Sequence, residues 1–195
     1  MADMNDALQA LLAKQAITEV IVRYARALDR LDETLLRSVF HPDSVHHHFY
    51  QGPSSAPDAP RPADGGPRDF VEFALGVLAT HTRTHHQLGN TLIELTSADH
   101  AVAETYFTAY HRMRPRGDPK AAPNACDTEM DYFVGGRYLD HFACRNGEWR
   151  ITRRTGMTDW TRLEPPSSQG FDDIAAETIG RHYPDDLLYH WAGRD

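Results

Sequence analysis

Apolar residues recur at three- and four-residue steps through the first part of the chain. They are Leu8, Leu11, Leu12, Ile17, Val20, Ile21, Tyr24 and Leu28. This spacing predicts an amphipathic helix that ends at about Asp29, with Asp3 or Asn5 as its N-cap. A second, short helix is predicted over residues 31–40, because the residue before Pro42 avoids helical backbone.

The segment after the second helix is predicted to be a strand followed by a long loop. In the strand, residues 45–50, the side chains of His46, His48 and Tyr50 share one face. Residues 51–68 are so rich in proline and glycine that they can form neither a helix nor a strand ladder. We expect a flap near a pocket mouth, with plain disorder as the alternative. Residues 69–79, which are mostly apolar, are then predicted to form a third helix.

The second half of the chain shows the two-residue alternation of β-strands. Strands are predicted over residues 87–96, 101–113, about 129–145 and 149–158. The Asn146-Gly147 pair predicts a tight hairpin between the last two, and the polar residues 81–90 are expected to join the third helix to the sheet. Helices followed by antiparallel strands predict an α+β fold, with the helices on the concave side of a curved sheet.

Composition narrows the class of protein. The chain has 195 residues, of which 41% are hydrophobic, enough to bury the core of one compact domain. The formal net charge of −8, with basic and acidic residues interspersed, argues against nucleic acid or an anionic membrane as partner. Neither a signal peptide nor a membrane-spanning apolar run is recognisable, so we expect a cytoplasmic protein. Cys126 and Cys144 form no CxxC motif, which indicates reduced thiols.

The last part of the chain is predicted to be an extension of the main domain. We place the domain at residues 1–164 and the extension at residues 165–195. The extension carries several aromatic side chains, namely Phe171, Tyr183, Tyr189 and Trp191. Because so much apolar surface needs cover, we expect it to pack on the barrel or on a neighbouring subunit. An exposed sheet face favours a homodimer or homotrimer.

Histidine is the residue type that most suggests acid–base catalysis in this chain. Of the 12 in the chain, several form two clusters, at residues 46–48 and around His85 and His86. We expect His86 to be a general base, oriented by Asp29 at the end of the first helix, where a carboxylate opposes the helix dipole. The alternative for Asp29 is an exposed turn. Tyr24 lies five residues earlier, about 140° around the helix, so the two side chains can meet only at a rim or a helix end.

The first histidine cluster raises the question of a metal. On one strand face, His46 and His48 would stand side by side, and His86 or His111 could supply a third ligand. No carboxylate adjacent in the sequence supports such a site. We therefore expect neither metal nor cofactor, with a divalent metal held by His46 and His48 as the alternative.

Three motifs resemble those of a known superfamily: Phe40-His41-Pro42-Asp43, the Gly135-Gly136-Arg137-Tyr138-Leu139-Asp140 run, and Asn146-Gly147-Glu148-Trp149-Arg150-Ile151. With the predicted element order, they resemble the SnoaL-like group of the nuclear transport factor two-like superfamily over about residues 8–160. The resemblance implies a cone-shaped α+β barrel, in which three N-terminal helices pack in the concave face of a curved, mixed, mainly antiparallel sheet. Pockets of this superfamily serve dehydratases, isomerases, dehydrochlorinases, dioxygenase small subunits and non-enzymes.

Within that group the chain resembles the lyases most. The spacing of Tyr24 and Asp29 matches the bile-acid dehydratase type. His86 precedes Asn90 by four residues, as the catalytic histidine does in the lindane dehydrochlorinase type. His111 is a looser match to a second histidine of scytalone dehydratase. The resemblance therefore implies catalytic roles for His86, Asp29, Tyr24 and His111.

These observations predict a cofactor-independent lyase for a hydrophobic, aromatic or polycyclic small molecule. His86, or its neighbour His85, would abstract a proton, and Tyr24, His111 or a strand histidine would protonate the leaving group. The reaction would be a dehydration or a retro-aldol cleavage that releases a small aldehyde. The residues expected to bind substrate are His46, His48, Tyr50, His85, Asn90, Tyr106 and Tyr132. The alternatives are an isomerase, a non-catalytic binding protein, or the small subunit of an aromatic-ring dioxygenase.

Overall fold

A five-stranded sheet forms the body of the protein in the computed structural model, which describes residues 4–48, 67–167, 171 and 173–191. The strands are β1 (Phe40–His48), β2 (His81–Leu95), β3 (His100–Met113), β4 (Met130–Arg145) and β5 (Glu148–Glu164). Their order across the sheet is β1-β5-β4-β3-β2. β1 is parallel to β5, and the other neighbours are antiparallel. The predicted mixed, mainly antiparallel sheet is confirmed.

Three helices pack against the sheet and complete the α+β fold. They are α1 (Met4–Arg30), α2 (Glu33–Ser38) and α3 (Pro67–Ala79). Side chains of all three join residues of the strands in one buried apolar cluster. This cone-like arrangement confirms the predicted fold class. No helix in the described ranges is long and apolar enough to cross a membrane.

The first helix ends where its pattern predicted, and the second is shorter than predicted. From Ile17 to Asp29, α1 turns one stripe of side chains into the core. Leu31 then adopts a φ of 52°, which interrupts the helical path. Asp32 caps α2 by accepting the Leu35 N–H at 2.9 Å, so α2 begins only at Glu33.

The first strand begins earlier than predicted. It starts at Phe40 rather than at Val45 and includes Pro42. Proline is tolerated there because β1 lies at the edge of the sheet, where a missing N–H breaks no ladder bond. Tyr50 and most of the flap predicted over residues 51–68 lie outside the described residues, and Pro67 and Arg68 belong to α3 rather than to that loop.

β2 begins at His81 rather than at the predicted Gln87, so the polar residues expected to join the third helix to the sheet are themselves part of the strand. Two register shifts against β3, between His81 and Arg83 and between Leu88 and Thr91, interrupt the alternation of its side chains. The sequence pattern was therefore unlike that of a strand. As a consequence, His86 is held by the sheet itself.

Two glycine positions shape the last hairpin. Asn146 and Gly147 have φ values of 55° and 81°, which confirms the predicted tight turn. Further along, the β4–β5 register shifts between Gly135 and Gly136. A Cβ atom on Gly136 would lie 1.9 Å from the carbonyl oxygen of Met157, so only glycine permits this close approach. Such a bulge bends the strand and adds to the curvature of the sheet.

The C-terminal segment, residues 173–191, contacts the end of α1. The Tyr183 N–H donates to the Arg30 carbonyl at 2.6 Å. Arg30 also forms a 3.3 Å ion pair with Asp186, and the Tyr189 hydroxyl donates to Asp32 at 2.9 Å. The segment is thus tied to the turn that follows α1. The division into residues 1–164 and 165–195 stays a prediction.

Candidate active site

A buried pair of side chains, Asp29 and His86, joins α1 to β2. One oxygen of the Asp29 carboxylate lies 2.7 Å from Nδ1 of His86, and the other accepts the His86 backbone N–H at 2.8 Å. The side chains of Asp29 and His86 are only 10% and 7% exposed, respectively. One carboxylate therefore fixes both the ring and the backbone of His86.

The fold explains why this contact can form. β2 is an edge strand, so alternate backbone N–H groups point away from the sheet and need another acceptor. Asp29, in the last turn of α1, supplies one for His86. Burial raises the pKa of Asp29, but hydrogen bonds and charge from His86 outweigh burial and hold that pKa below its usual value. Asp29 is therefore ionised at neutral pH.

The ionised carboxylate also determines the tautomer of His86. A carboxylate can only accept hydrogen bonds, so Nδ1 of His86 must carry the proton. The lone pair then resides on Nε2, which leaves this atom able to accept a proton from a ligand. The neighbouring His85 is exposed on β2 and has no described contact with Asp29. The geometry thus favours His86 over His85 as the base.

Two further imidazole rings lie in a row with that of His86. The ring of His111 lies 5.4 Å from that of His86, and the ring of His81 lies 5.2 Å from that of His111. Burial, reinforced by the charges of His86 and His81, lowers the pKa of His111 to about 3. His111 is therefore neutral at physiological pH and serves as a hydrogen-bonding group. Its Nδ1 is buried and has no partner among the described residues.

This depressed pKa makes stability depend on pH. Between pH 6.5 and 3 the unfolded chain protonates His111 and the folded chain does not, so stability falls as the pH falls. From pH 7 to pH 5 we expect His111 to account for a loss of about 2 kcal/mol in the free energy of unfolding. In His111→Gln that part of the loss should vanish, as measured by urea unfolding at both pH values. His100→Gln, at the exposed start of β3, is the control. Equal pH slopes in His111→Gln and wild type would contradict the interpretation.

Tyr24, the predicted partner of Asp29 on α1, is packed among aromatic rings of the interior. Its ring is 1% exposed and packs against the rings of Phe40, Phe70 and Tyr138. Burial raises the pKa of Tyr24, although the charge of the neighbouring Arg154 opposes this rise. The hydroxyl therefore keeps its proton at neutral pH.

An ion pair that the sequence analysis did not identify lies beside Tyr24. Arg154 on β5 and Asp140 on β4 are both fully buried and form two hydrogen bonds of 2.7 and 2.6 Å. The guanidinium carbon lies 3.9 Å from the centre of the Tyr24 ring and 4.4 Å from that of Tyr138. Its Nη1 is buried without a partner among the described residues. Arg154 lies in a strand with alternating residues, where a charged side chain is normally expected to face solvent. The sequence therefore did not indicate that Arg154 points inward.

The residues predicted to bind substrate divide into three groups. His46 and Tyr132 face the interior: the His46 ring stacks on Phe70 at 3.3 Å between ring centres, and the Tyr132 ring is 5.9 Å from that of His111. Tyr50 and the side chain of His48 lie outside the described part of the chain. The remaining three, which are exposed, are His85, Asn90 and Tyr106.

Tyr106 lies on the outer face of β3. It is 42% exposed, and its ring lies 6.0 Å from the guanidinium of Arg137, which pairs with Glu104 and Asp159 on the same outer face. The next residue, Phe107, points into the core instead. Alternation along β3 thus excludes Tyr106 from the interior.

The predicted metal alternative depended on His46 and His48. Within the described residues, no three His, Cys, Asp or Glu side chains are arranged to hold a metal ion. The His46 ring is 1% exposed and packed between aromatic side chains. The expectation of no metal, with His46 and His48 as the alternative site, stays a prediction.

Comparison with solved structures supports the fold. Hexachlorocyclohexane dehydrochlorinase LinA-type3 from Novosphingobium barchaimii superposes with a TM-score of 0.65 at 14% identity, over 84% of this chain and 98% of that one. A proposed scytalone dehydratase from Novosphingobium aromaticivorans gives a TM-score of 0.61 at 22% identity, over 86% of this chain and 99% of that one. At these identities the likeness establishes the fold alone. A search of curated proteins finds no significant match.

The family of the protein is shown by a match of its sequence to a known domain family. Residues 9–155, which span all three helices and most of the sheet, match the SnoaL-like domain. Because this match covers most of the chain, the protein belongs to the SnoaL-like domain family.

Proposed function

We propose that the protein is a cofactor-independent lyase that acts on a hydrophobic, aromatic or polycyclic small molecule. The observation that carries the proposal is the two-point contact between Asp29 and His86. It orients a buried imidazole whose other ring nitrogen, Nε2, is not engaged by Asp29 and can take a proton from a substrate. The reaction is the elimination of water, or the cleavage of a C–C bond with release of a small aldehyde.

In this proposal His86 removes the proton. In the elimination, Nε2 takes it from a carbon made acidic by a neighbouring carbonyl or phenol, or from a phenol itself. In the C–C cleavage, Nε2 takes it from the hydroxyl that becomes the aldehyde, and the electron pair of the broken C–C bond remains on the carbon next to the carbonyl, which is then protonated. The imidazole becomes an imidazolium, which the ionised Asp29 stabilises at 2.7 Å. A positioned base of this kind contributes on the order of 10²–10⁴ to a rate. The step requires side chains only.

In this proposal the leaving group departs beside Tyr24, which protonates it. Its phenol retains a proton at neutral pH, and Nη1 of the nearby Arg154 guanidinium has no partner among the described residues. Together they offer a proton and a positive charge to a departing oxygen. His111 is neutral, so in this scheme it binds the substrate by a hydrogen bond rather than acting as a cationic acid.

Aromatic packing in the interior supports a flat, apolar substrate. Phe107 and Tyr138 stack with 4.2 Å between ring centres, and Tyr24 packs edge-on to Tyr138. Two similar structures carry the names of a hexachlorocyclohexane dehydrochlorinase and a proposed scytalone dehydratase, which supports elimination chemistry on a ring substrate.

The direct test is a turnover screen of chelator-washed, untagged protein. Aromatic and polycyclic alcohols and β-hydroxy ketones are incubated with the enzyme, and loss of water or aldehyde is followed by mass spectrometry. We expect at least one compound to be converted without added cofactor. Binding without turnover across the panel would contradict the proposal and favour a binding protein. Rearrangement without loss of mass would point to an isomerase, and turnover that returns only with added metal would point to Lewis-acid catalysis at the histidine cluster.

A further inference from the structure

The turn that follows Asp29 closes α1 in an unfavourable conformation. Leu31 has a φ of 52°, in the left-handed region that residues with a Cβ atom rarely adopt. The N–H groups of Leu31 and Asp32 donate back to the carbonyls of Leu28 and Ala27 at 3.2 and 3.0 Å, which closes the C-terminus of the helix. Such a conformation persists only where the surrounding structure holds it. The helix end that presents Asp29 therefore depends on contacts from outside the helix.

The C-terminal segment supplies such contacts at Arg30. The Arg30 carbonyl belongs to the last turn of α1, where carbonyl groups lack partners within the helix, and it accepts the Tyr183 N–H at 2.6 Å. The Nε of Arg30 lies 3.3 Å from Asp186, and its Nη1 donates to the Asp29 carbonyl at 3.4 Å. Asp186 therefore holds a guanidinium that reaches the backbone of Asp29.

A side-chain contact holds the far side of the same turn. The Tyr189 hydroxyl donates to one carboxylate oxygen of Asp32 at 2.9 Å, while the other oxygen accepts the Leu35 N–H at 2.9 Å. A charged acceptor strengthens both hydrogen bonds. Tyr189 is thus tied to the residue that separates α1 from α2.

The other end of the C-terminal segment contacts β2. The guanidinium carbon of Arg83 lies 3.6 Å from the centre of the Phe171 ring, a cation–π contact. Arg83 precedes His86 by three residues on the same strand. The Phe171 carbonyl accepts the Ile174 N–H at 2.9 Å, which joins this ring to the rest of the segment. We call Phe171 together with residues 173–191 the C-terminal clamp. It contacts β2 near His86 and the turn at the end of α1.

We propose that the C-terminal clamp holds α1 against β2 and so keeps the Asp29 carboxylate on Nδ1 of His86, with Tyr189 and Phe171 as positioning residues. This inference rests on the proposed function for the role of the pair in the reaction. Each positioning residue acts through a neighbour of the pair, since Tyr189 bonds to the turn after Asp29 and Phe171 packs on the strand of His86. A carboxylate that moved off Nδ1 would no longer fix the tautomer of the imidazole.

The tautomer of His86 provides a readout that needs no substrate. In full-length protein with isotope-labelled histidine, nitrogen NMR shifts at alkaline pH give the ratio of the Nε2–H to the Nδ1–H form, and His86→Ala identifies the signals. We expect the Nδ1–H form to dominate in wild type, because Asp29 accepts from Nδ1. Tyr189→Phe should raise the ratio at least about fivefold through loss of a hydrogen bond. Phe171→Leu should raise it about two- to fivefold through loss of the cation–π contact. An unchanged ratio in either variant, or dominance of the Nε2–H form in wild type, would overturn the proposal.

Two further variants serve as controls. Tyr183→Phe removes a hydroxyl from an exposed ring that packs against Tyr189, and this hydroxyl has no hydrogen-bond partner among the described residues. Ile151→Val destabilises the core, where Ile151 is fully buried and pairs with Phe40 on β1. Both should keep the wild-type tautomer ratio, although Ile151→Val lowers the midpoint of thermal unfolding. A rise in either control as large as in Tyr189→Phe would show that the ratio follows a general loosening of the fold and would contradict the inference.

Failure of this inference is distinguishable from failure of the proposed function. A wild-type tautomer ratio in Tyr189→Phe, together with turnover that depends on His86, would reject the clamp and keep the lyase. A raised ratio in Tyr189→Phe without turnover of any panel compound would keep the clamp and reject the lyase.

Discussion

Replacing His86 with alanine is expected to lower substrate turnover by about 10²–10⁴-fold while the protein still folds. The variant lacks the imidazole that takes the proton. Asp29→Asn should lose a comparable factor for a different reason. Its amide can accept the His86 backbone N–H, but its NH₂ group would then face Nδ1 and place the imidazole proton on Nε2. The base would be present with its lone pair on the wrong atom.

Initial rates on any compound converted by wild type provide the measurement. The matched control is His85→Ala, because His85 is the exposed neighbour of His86 on β2 and should retain near-wild-type activity. Circular dichroism and thermal unfolding verify that all three variants are folded. If Asp29→Asn or His86→Ala kept the wild-type rate, that residue would have no part in proton transfer. If His85→Ala were the inactive variant, the assignment of the base would be reversed.

Substitution of one member of the Arg154–Asp140 pair is expected to produce the largest change in stability. Asp140→Asn leaves the fully buried guanidinium of Arg154 without its counter-charge. Breaking such a pair costs about 3–5 kcal/mol, because an uncompensated charge remains in the interior. The double variant Asp140→Asn with Arg154→Met removes that charge and should recover part of the loss. Urea unfolding at neutral pH measures both.

The chain also contains an exposed pair of the same two residue types. Arg145 and Asp43 lie 2.7 Å apart near the surface, and solvent screens their attraction. Asp43→Asn should therefore leave the midpoint of unfolding unchanged within error. A stability loss in Asp140→Asn no larger than in Asp43→Asn would show that water reaches the interior pair. A double variant less stable than Asp140→Asn alone would show that Arg154 stabilises the fold without its partner.

Much of the architecture was predictable because regular elements leave regular patterns. The apolar stripe of α1 and the strict alternation in β3 located those elements to within a residue or two. The Asn146-Gly147 turn did the same for the last hairpin. The first part of β2, before Gln87, was not predicted because two register shifts break the alternation of the strand. The first part of β1, before Val45, was not predicted because Pro42 indicates a break, whereas an edge strand can accommodate it.

The candidate site was predictable where a reactive residue type occurs at the end of a predicted element. A carboxylate at the end of α1 and a histidine in a polar stretch indicated Asp29 and His86, and the structure brings them together. The pair of Arg154 and Asp140 was not predictable, because a charged residue in an alternating strand normally faces solvent. Tyr106 was misplaced because aromatic character alone does not determine on which face of a strand a side chain lies.

The bond from the His86 backbone N–H to Asp29 offers a probe of the Asp29–His86 pair that needs no assay of turnover. Most amide protons of a sheet exchange with solvent at rates that report on its ladder, but this one is held by a side chain of another element. Its hydrogen–deuterium exchange, resolved by nuclear magnetic resonance, therefore measures how often the helix end separates from the strand. A ligand that tightens the site would slow this single proton before any product is detected.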